Sequence, residues 1–346
     1  MMIPPPYLLY LGDSQNELSV KTSRGVAYWR PEWSLGEHRR PDCTVTLGLP
    51  HLDFAEAAAK GAKTLIVGVA NAGGVLGPKI VADVVAALEA GLHVASGLHE
   101  RLTEHPEIVA AAERRGLSLF DVREPPKKMA VGNGRPRAGH RLLTVGTDCS
   151  VGKMYTTLAV EREMRGRGMA ADFRATGQTG IFIAQSGVPI DAVIADFISG
   201  GIEQISPARH DGGWDLIEGQ GSLFHPSYAG VSLGLLHGAQ PDAIVLCHEP
   251  GRPHMRGLPG RDLPDLAACL EANLASAALT NPGVTPVGIA FNTSNLAPDE
   301  ARRLCDETAA RFNLPCQDPV SMGVDQIVDR LVECFAPSQP ALNIGR

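Results

Sequence analysis

This chain of 346 residues has no basic excess, no paired cysteine motif and no long apolar run. Its formal net charge is -7. A general binder of nucleic acid or of anionic membranes needs a strong cationic surface to neutralise phosphates, so neither class is expected. A small anionic ligand remains compatible, because a local site can be positive on an acidic protein. The cysteines Cys43, Cys149, Cys247, Cys269, Cys305, Cys316 and Cys334 are odd in number and contain no C-x-x-C pair. A disulfide framework and a structural zinc site are therefore not expected, and no metal is assigned. No stretch approaches the roughly 18 apolar residues of a membrane span. The opening MMIPPPYLLYLG lacks a basic region before its short apolar stretch and does not read as a signal peptide. The expectation is a soluble cytoplasmic protein acting on a small molecule.

What is present is a fold signal. The hydrophobic fraction is 44% and the charged fraction 20%, enough for a substantial core. Short apolar runs alternate with helical stretches. TLIVGVA (64–70), LHVASGL and LSLFDVR read as strands. KIVADVVAALEAG carries Ile80, Val84, Val85 and Leu88 on one helical face, with Gly91 as a stop signal, and 106–115 is a second helix. Strands alternating with helices predict a parallel sheet with right-handed crossovers. The stretch 123–140, REPPKKMAVGNGRPRAGH, is rich in Pro, Gly and basic residues and lacks apolar periodicity. The pattern then restarts, with strands at RLLTVG, AADFRAT, WDLIEG, DAIVLC and PVGIAFN and a helix over PDEARRLCDETAARF. This gives a two-domain α/β protein: a first parallel-sheet domain over 1–125, a linker at 126–139, a second over 140–335, and a loose tail at 336–346.

The second domain opens on GTDCSVGKM (146–154), a loop between a strand and a helix. Such a loop turns backbone N–H groups and the positive end of the helix toward an anion, and Lys153 would reach phosphate oxygens. The strict pattern G-x-x-x-x-G-K-[ST] fails at both ends. Thr147 stands at the first-glycine position, and Met154 replaces the hydroxyl that holds Mg²⁺. Thr156 and Thr157 are further along the helix; Thr157 lies about one turn past Lys153 and points away from the phosphate mouth. The first domain has ANAGG (70–74) after a strand, but no G-x-G-x-x-G and no acidic residue at ribose spacing, so NAD is not expected.

GTD-x-x-VGK resembles the loop of dethiobiotin synthetase and the cobyrinate amidases, and DLIEGQGSL (215–223) resembles their strand ending in E-G-x-G. Taken with RATGQTGIFIAQSGVPIDAVIADFISG (174–200), EGQGSLFHPSYAGVSLGLLHGAQPD (218–242), HEPGR (248–252) and LIVGVANAGG (65–74), the sequence resembles the DUF1611 family. The resemblance covers about Tyr10 to Val332. It implies a Rossmann-like N-terminal domain and a P-loop NTPase-like C-terminal domain. It also implies transfer of an acetyl group from acetyl-CoA to the amine of D-glutamate. Coenzyme A carries a pyrophosphate and a 3′-phosphate, which N–H groups and one lysine can grip without splitting. Thioester aminolysis needs no Mg²⁺ on a γ-phosphate, so Met154 would be an acceptable loss. The Rossmann-like half further suggests a homo-oligomer.

On that reading Thr147, Asp148, Cys149, Ser150, Val151, Gly152, Lys153, Met154 and Tyr155 bind the acetyl-CoA. A base must take the amine proton, and Glu218, His225 and His248 are the candidates. Glu218 sits at a strand's C-terminal end, where open α/β sheets bind ligands, but equally suits a retained metal ligand. His225 follows Glu218 within the same loop and His248 sits just past another strand; a lone loop histidine also suits a surface or structural role. Arg174 and Arg252 are candidates for the substrate carboxylates, or for surface ion pairs. Thr176, Gln178 and Thr179 of TGQTG offer hydroxyls and N–H groups, or merely form a turn. Cys149, near a helix N-terminus, could carry the acetyl group, or be a small residue that fits. Asp196 is either a second acidic site residue or a helix cap, and HRRPD (38–42) reads as solvated surface. The alternative activities are a ligase or kinase-like enzyme using ATP and Mg²⁺, and a nucleotide sensor without turnover.

Overall fold

The computed structural model describes residues 2–69 and 72–336. The chain divides into two compact units, Met1–Lys128 with Ala175–Val193, and Met129–Arg174 with Ile194–Arg346. The first unit holds strands β1 (Tyr7–Gly12), β2 (Ser34–Arg39), β3 (Thr64–Val67), β4 (His93–Ser96) and β5 (Leu119–Asp121). They form one sheet in the order β2-β1-β3-β4-β5, every pair parallel. The central strands β1 and β3 are buried along their whole length, because helices cover both faces of a parallel sheet. The helix Pro78–Glu89 begins on a proline and buries Val81, Val84, Ala87 and Leu88. Ile80 and Val85, read from the sequence as part of that face, are only partly buried and lie at its margins. The helix Pro106–Arg115 ends on Gly116, whose φ of 64° suits a glycine cap.

One segment joins this unit from a distance along the chain. The helix Gln178–Ala184 packs with the helix Lys21–Trp29. Arg30 Nε donates to the Ile183 carbonyl at 3.1 Å, and the Gln185 side chain accepts from Ile3 N–H at 2.6 Å and donates to Ile3 O at 3.0 Å. Thr176, Gln178 and Thr179 therefore belong to the first unit, whereas a linear division of the sequence puts them in the second. Thr179 Oγ1 meets Thr22 Oγ1 at 3.2 Å, and Gln178 lies so close to Gly97 that a Cβ there would meet Gln178 Oε1 at 2.2 Å. Nor is HRRPD simply solvated: Arg39 pairs with the buried Glu37 at 2.9 Å, and Arg40 with Asp83 at 2.8 Å.

The second unit holds β6 (His140–Gly146), β7 (Ala171–Arg174), β8 (Trp214–Ile217), β9 (Ala243–His248), β10 (Thr285–Phe291) and β11 (Cys316–Gln317). Their order is β11-β10-β9-β6-β8-β7, again all parallel. Both sheets thus have the α/β architecture expected from the sequence. The stretch 126–139 is partly tied down: Asn133 and Gly134 N–H groups donate to Glu203, and Arg137 donates to the Ser206 carbonyl at 2.6 Å. Of the tail, only Ala336 is described; 337–346 lie outside the described residues, as do Ala70 and Asn71 of ANAGG. No described helix is long and apolar enough to cross a membrane.

Strand order fixes the location of the chemistry. β6 is central, flanked by β9 and β8, and parallel pairing brings the C-terminal ends of all three to one edge. The loop after β6, Glu218 after β8 and His248 at the end of β9 share that edge, where open α/β sheets take their ligands.

Candidate functional site

The loop leaves β6 at Gly146 and enters the helix Lys153–Gly166. Ser150 (φ 55°) and Gly152 (φ 101°) turn the backbone through left-handed conformations. Such turns point consecutive N–H groups into one concavity, a nest for an anion. Among the described residues, the N–H groups of Ser150, Val151, Gly152, Lys153 and Met154 meet no acceptor. Lys153 is 6% exposed, and its Nζ donates to the Asp148 carbonyl at 2.7 Å. Burial holds its pKa below the ordinary lysine value.

No hydroxyl of this helix is offered at the magnesium position. Met154 occupies it. Thr156 Oγ1 donates to the Gly152 carbonyl at 3.0 Å, and Thr157 Oγ1 to the Lys153 carbonyl at 2.8 Å. Thr157 also meets Thr144 Oγ1 at 2.9 Å, so both threonines are turned back into the fold.

Around the nest lies a dense set of polar contacts. The buried Asp148 accepts from Cys149 N–H on Oδ1, and from Arg252 and the Arg256 N–H on Oδ2, each at 2.7 Å. Arg252 also donates to the carbonyls of Cys149 (2.7 Å) and Ser150 (2.8 Å) and pairs with Glu249. Burial opposes its charge, but Glu249 and Asp148 more than offset that, and its pKa is raised. Arg252 thus staples the loop's shape through both of its terminal nitrogens. Arg174 is likewise engaged: its Nε and one terminal nitrogen converge on Asp215 Oδ1 at 2.9 and 2.7 Å. That buried aspartate also takes Arg209 at 3.0 Å. Removing one partner of such a buried pair exposes the other to the cost of an unpaired charge.

The three candidate bases differ in what their atoms already do. His225 is 2% exposed; its Nδ1 accepts from Ser227 N–H at 3.2 Å, so Nε2 carries the hydrogen and donates to the Arg256 carbonyl at 3.0 Å. Both ring nitrogens are used, which makes His225 a clasp between two loops. Asp148, Cys149 and His225 bring ligand atoms within 4.8 Å of one another. The bonds already made by Asp148 and His225 leave this group poorly suited to a metal ion. Glu218 is 4% exposed at the end of β8 and accepts from Gln220 Nε2 at 3.2 Å. His248 meets Thr147 Oγ1 through Nδ1 at 2.9 Å, and no described residue bonds its Nε2. Burial, and then the Arg252 charge, push its pKa down to about 4, so the ring is neutral near pH 7.

The E-G-x-G motif has a steric cause. A Cβ on Gly219 would lie 1.7 Å from the Thr144 carbonyl oxygen, and one on Gly221 would lie 2.7 Å from the Tyr228 carbonyl oxygen. β8's end thus passes against β6 with no room for a side chain. Gly219→Ala is expected to destabilise the protein by about 3 kcal/mol or more, because the obstructing atom is backbone. A thermal melt followed by circular dichroism checks this; an unchanged midpoint would contradict it.

The structure therefore brings Glu218, His225, His248 and Arg252 around residues 147–155, while Arg174 is turned to Asp215. Asp196 is exposed and caps nothing. Three groups at the loop were not anticipated: Ser222, whose Oγ donates to the Thr147 carbonyl at 3.0 Å, Glu249, and Arg256. The available signal was Arg252, Arg256 and Arg261 recurring in a Gly/Pro-rich stretch just past a strand.

A parallel sheet with an anion nest on its central strand, and a carboxylate and an imidazole on its neighbours, defines a P-loop protein of the α/β class. The chain belongs to the DUF1611 family. Residues 39–125 match the family's Rossmann-like N-terminal domain and 128–328 its C-terminal P-loop domain, both described as domains of unknown function. The chain is 50% identical over 331 residues to a protein of Pseudoalteromonas sp. named D-glutamate N-acetyltransferase, covering 96% of this chain and 100% of that one. It is 49% identical to a protein of the same name from Tritonibacter scottomollicae, covering 95% and 99%. A crystal structure of a DUF1611 family protein from Anabaena variabilis ATCC 29413 superposes with a TM-score of 0.87 at 30% identity, covering 95% of this chain and 100% of that one.

Proposed function

We propose that this chain is a D-glutamate N-acetyltransferase that draws its acetyl group from acetyl-CoA held at the phosphate loop. Two relatives of that name, similar over nearly the full length, support the activity. The observation in the site that carries the reading is the loop itself: N–H groups and Lys153 are set for phosphate, while Met154, Thr156 and Thr157 present no hydroxyl for Mg²⁺. Such a site suits binding a phosphorylated carrier better than cleaving a phosphoanhydride.

The nest at Ser150–Met154 and Lys153 would hold the carrier's phosphates, and acetyl-CoA supplies an activated thioester carbonyl. The amine nitrogen forms a bond to that carbonyl carbon, the carbon–sulfur bond breaks, and the proton lost from nitrogen must find a base. His248 is the residue we assign to that proton. For Nε2 to accept it, Nδ1 must carry the ring hydrogen and donate to Thr147 Oγ1, which the 2.9 Å contact allows. The threonine at the first-glycine position would then accept from Nδ1 and hold the ring in place. A ring of low pKa is a weak base toward a free ammonium, but the nitrogen becomes far more acidic as it bonds to carbon. The thiolate leaves and takes up a proton, giving the N-acetylated amino acid and the free thiol.

Acetyl transfer is expected to persist at an undiminished rate after exhaustive treatment with EDTA. Turnover that requires added ATP and Mg²⁺, with release of ADP, would overturn the reading in favour of a ligase.

A further inference from the structure

We infer that Arg256 is the outer cation of the loop and reads a phosphate group of the acyl donor beyond the one held by Lys153. The inference rests on the acetyl-CoA reading above. It starts from which positive charges at the loop are already balanced. Arg252 faces two carboxylates, Asp148 and Glu249, so its charge is balanced. Lys153 lies at the bottom of the nest on the Asp148 carbonyl. Arg256 differs from both. Its guanidinium donates to the neutral Ser150 Oγ at 2.7 Å, and no carboxylate among the described residues pairs with it.

The position of Arg256 is also fixed by its own backbone. Its N–H donates to Asp148 Oδ2 at 2.7 Å, and its carbonyl accepts from His225 Nε2 at 3.0 Å. The preceding Met255 is 1% exposed, and its N–H donates to the Arg261 carbonyl at 2.7 Å. The side chain therefore rises from an anchored backbone onto a residue of the loop itself, one with a left-handed φ of 55°. An uncompensated guanidinium in that place matches phosphate, whose oxygens accept two parallel N–H bonds from its fork. Coenzyme A offers two such groups, the pyrophosphate and the 3′-phosphate. Both present the same chemistry.

The test is isothermal titration of wild type and Arg256→Gln with CoA and with dephospho-CoA, which lacks the 3′-phosphate. Arg256 makes no ion pair among the described residues, so the substitution leaves none of their carboxylates unpaired, and circular dichroism verifies the fold. CoA is expected to bind Arg256→Gln about ten- to hundredfold more weakly, with Arg256→Lys recovering part of the loss. If dephospho-CoA is weakened by the same factor, Arg256 reads the pyrophosphate; if its affinity is indifferent to the substitution, Arg256 reads the 3′-phosphate. Wild type and variant binding CoA equally would overturn the inference alone. Failure of wild type to bind CoA would overturn both it and the acetyl-CoA reading.

Discussion

Lys153→Met is expected to weaken CoA binding by about a hundredfold or more and to reduce acetyl transfer accordingly. Methionine preserves the shape of the lysine stem, which matters because that stem packs tightly: a Cβ on Gly219 would lie 2.9 Å from Lys153 Cδ. What is lost is the ammonium. It is buried, its pKa is depressed by that burial, and its bond to the Asp148 carbonyl is with a neutral acceptor. A phosphate arriving in the nest supplies the counter-charge that the fold withholds, so the interaction gains from the low local dielectric. The substitution leaves the Asp148 carbonyl without this donor, a stability cost of about 1–3 kcal/mol. The binding loss must therefore be read on protein whose native fold is verified. A Lys153→Met protein that binds CoA as wild type does would remove the loop from the mechanism.

His248→Asn is expected to lower kcat by about a hundredfold or more while leaving the KM for acetyl-CoA nearly unchanged. The shorter amide removes Nε2, the nitrogen assigned to the proton, and keeps a polar group near Thr147. A change confined to KM would make His248 a binding residue, and an unchanged kcat would pass the role of base to Glu218. The pH profile gives an independent reading. His248 must be neutral to act, and burial together with Arg252 lowers its pKa to about 4. As pH falls, the free enzyme should therefore keep this group active through the range where an ordinary histidine protonates, losing it only near pH 4. An acid limb in kcat/KM near 6.5 would point to a different group.

The fold was legible where a physical signal is local. The strands at 64–67, 93–96 and 243–248 lie in short, mostly apolar segments, and the helices at 106–115 and 298–312 carry the apolar spacing and terminal residues of helices. β2, Ser34–Arg39, escaped because an edge strand mixes buried and half-buried positions and so lacks an apolar run. β1 is fully buried, but it stands directly behind a proline-rich start and has no turn signal or helix before it to mark it as a strand. The association of 175–193 with the first unit rests on contacts such as Gln185 with Ile3, 182 residues apart, which no local pattern encodes.

The site divides along the same line. Loop, lysine, missing hydroxyl and the E-G-x-G glycines are contiguous motifs, and all were read from the sequence. The commitments of its side chains were not. Arg252 and Asp148 are 104 residues apart, so nothing in either segment marks them as a pair. Arg174 stands at a strand end, but strand alternation puts its side chain on the face of Asp172, beside Asp215, and there it stays. His225 is one motif away from Glu218, yet its two ring nitrogens are used by the backbones of Ser227 and Arg256.

The central claim is that this loop grips phosphate without magnesium. It is tested most directly by calorimetric titration of the purified protein with CoA, once in EDTA and once with Mg²⁺, beside the same titrations with ATP. The expected result is CoA binding of equal affinity in both buffers, with ATP weaker and gaining little from Mg²⁺. Binding of ATP that depends on Mg²⁺, with no measurable affinity for CoA, would contradict the claim and return the loop to nucleotide chemistry.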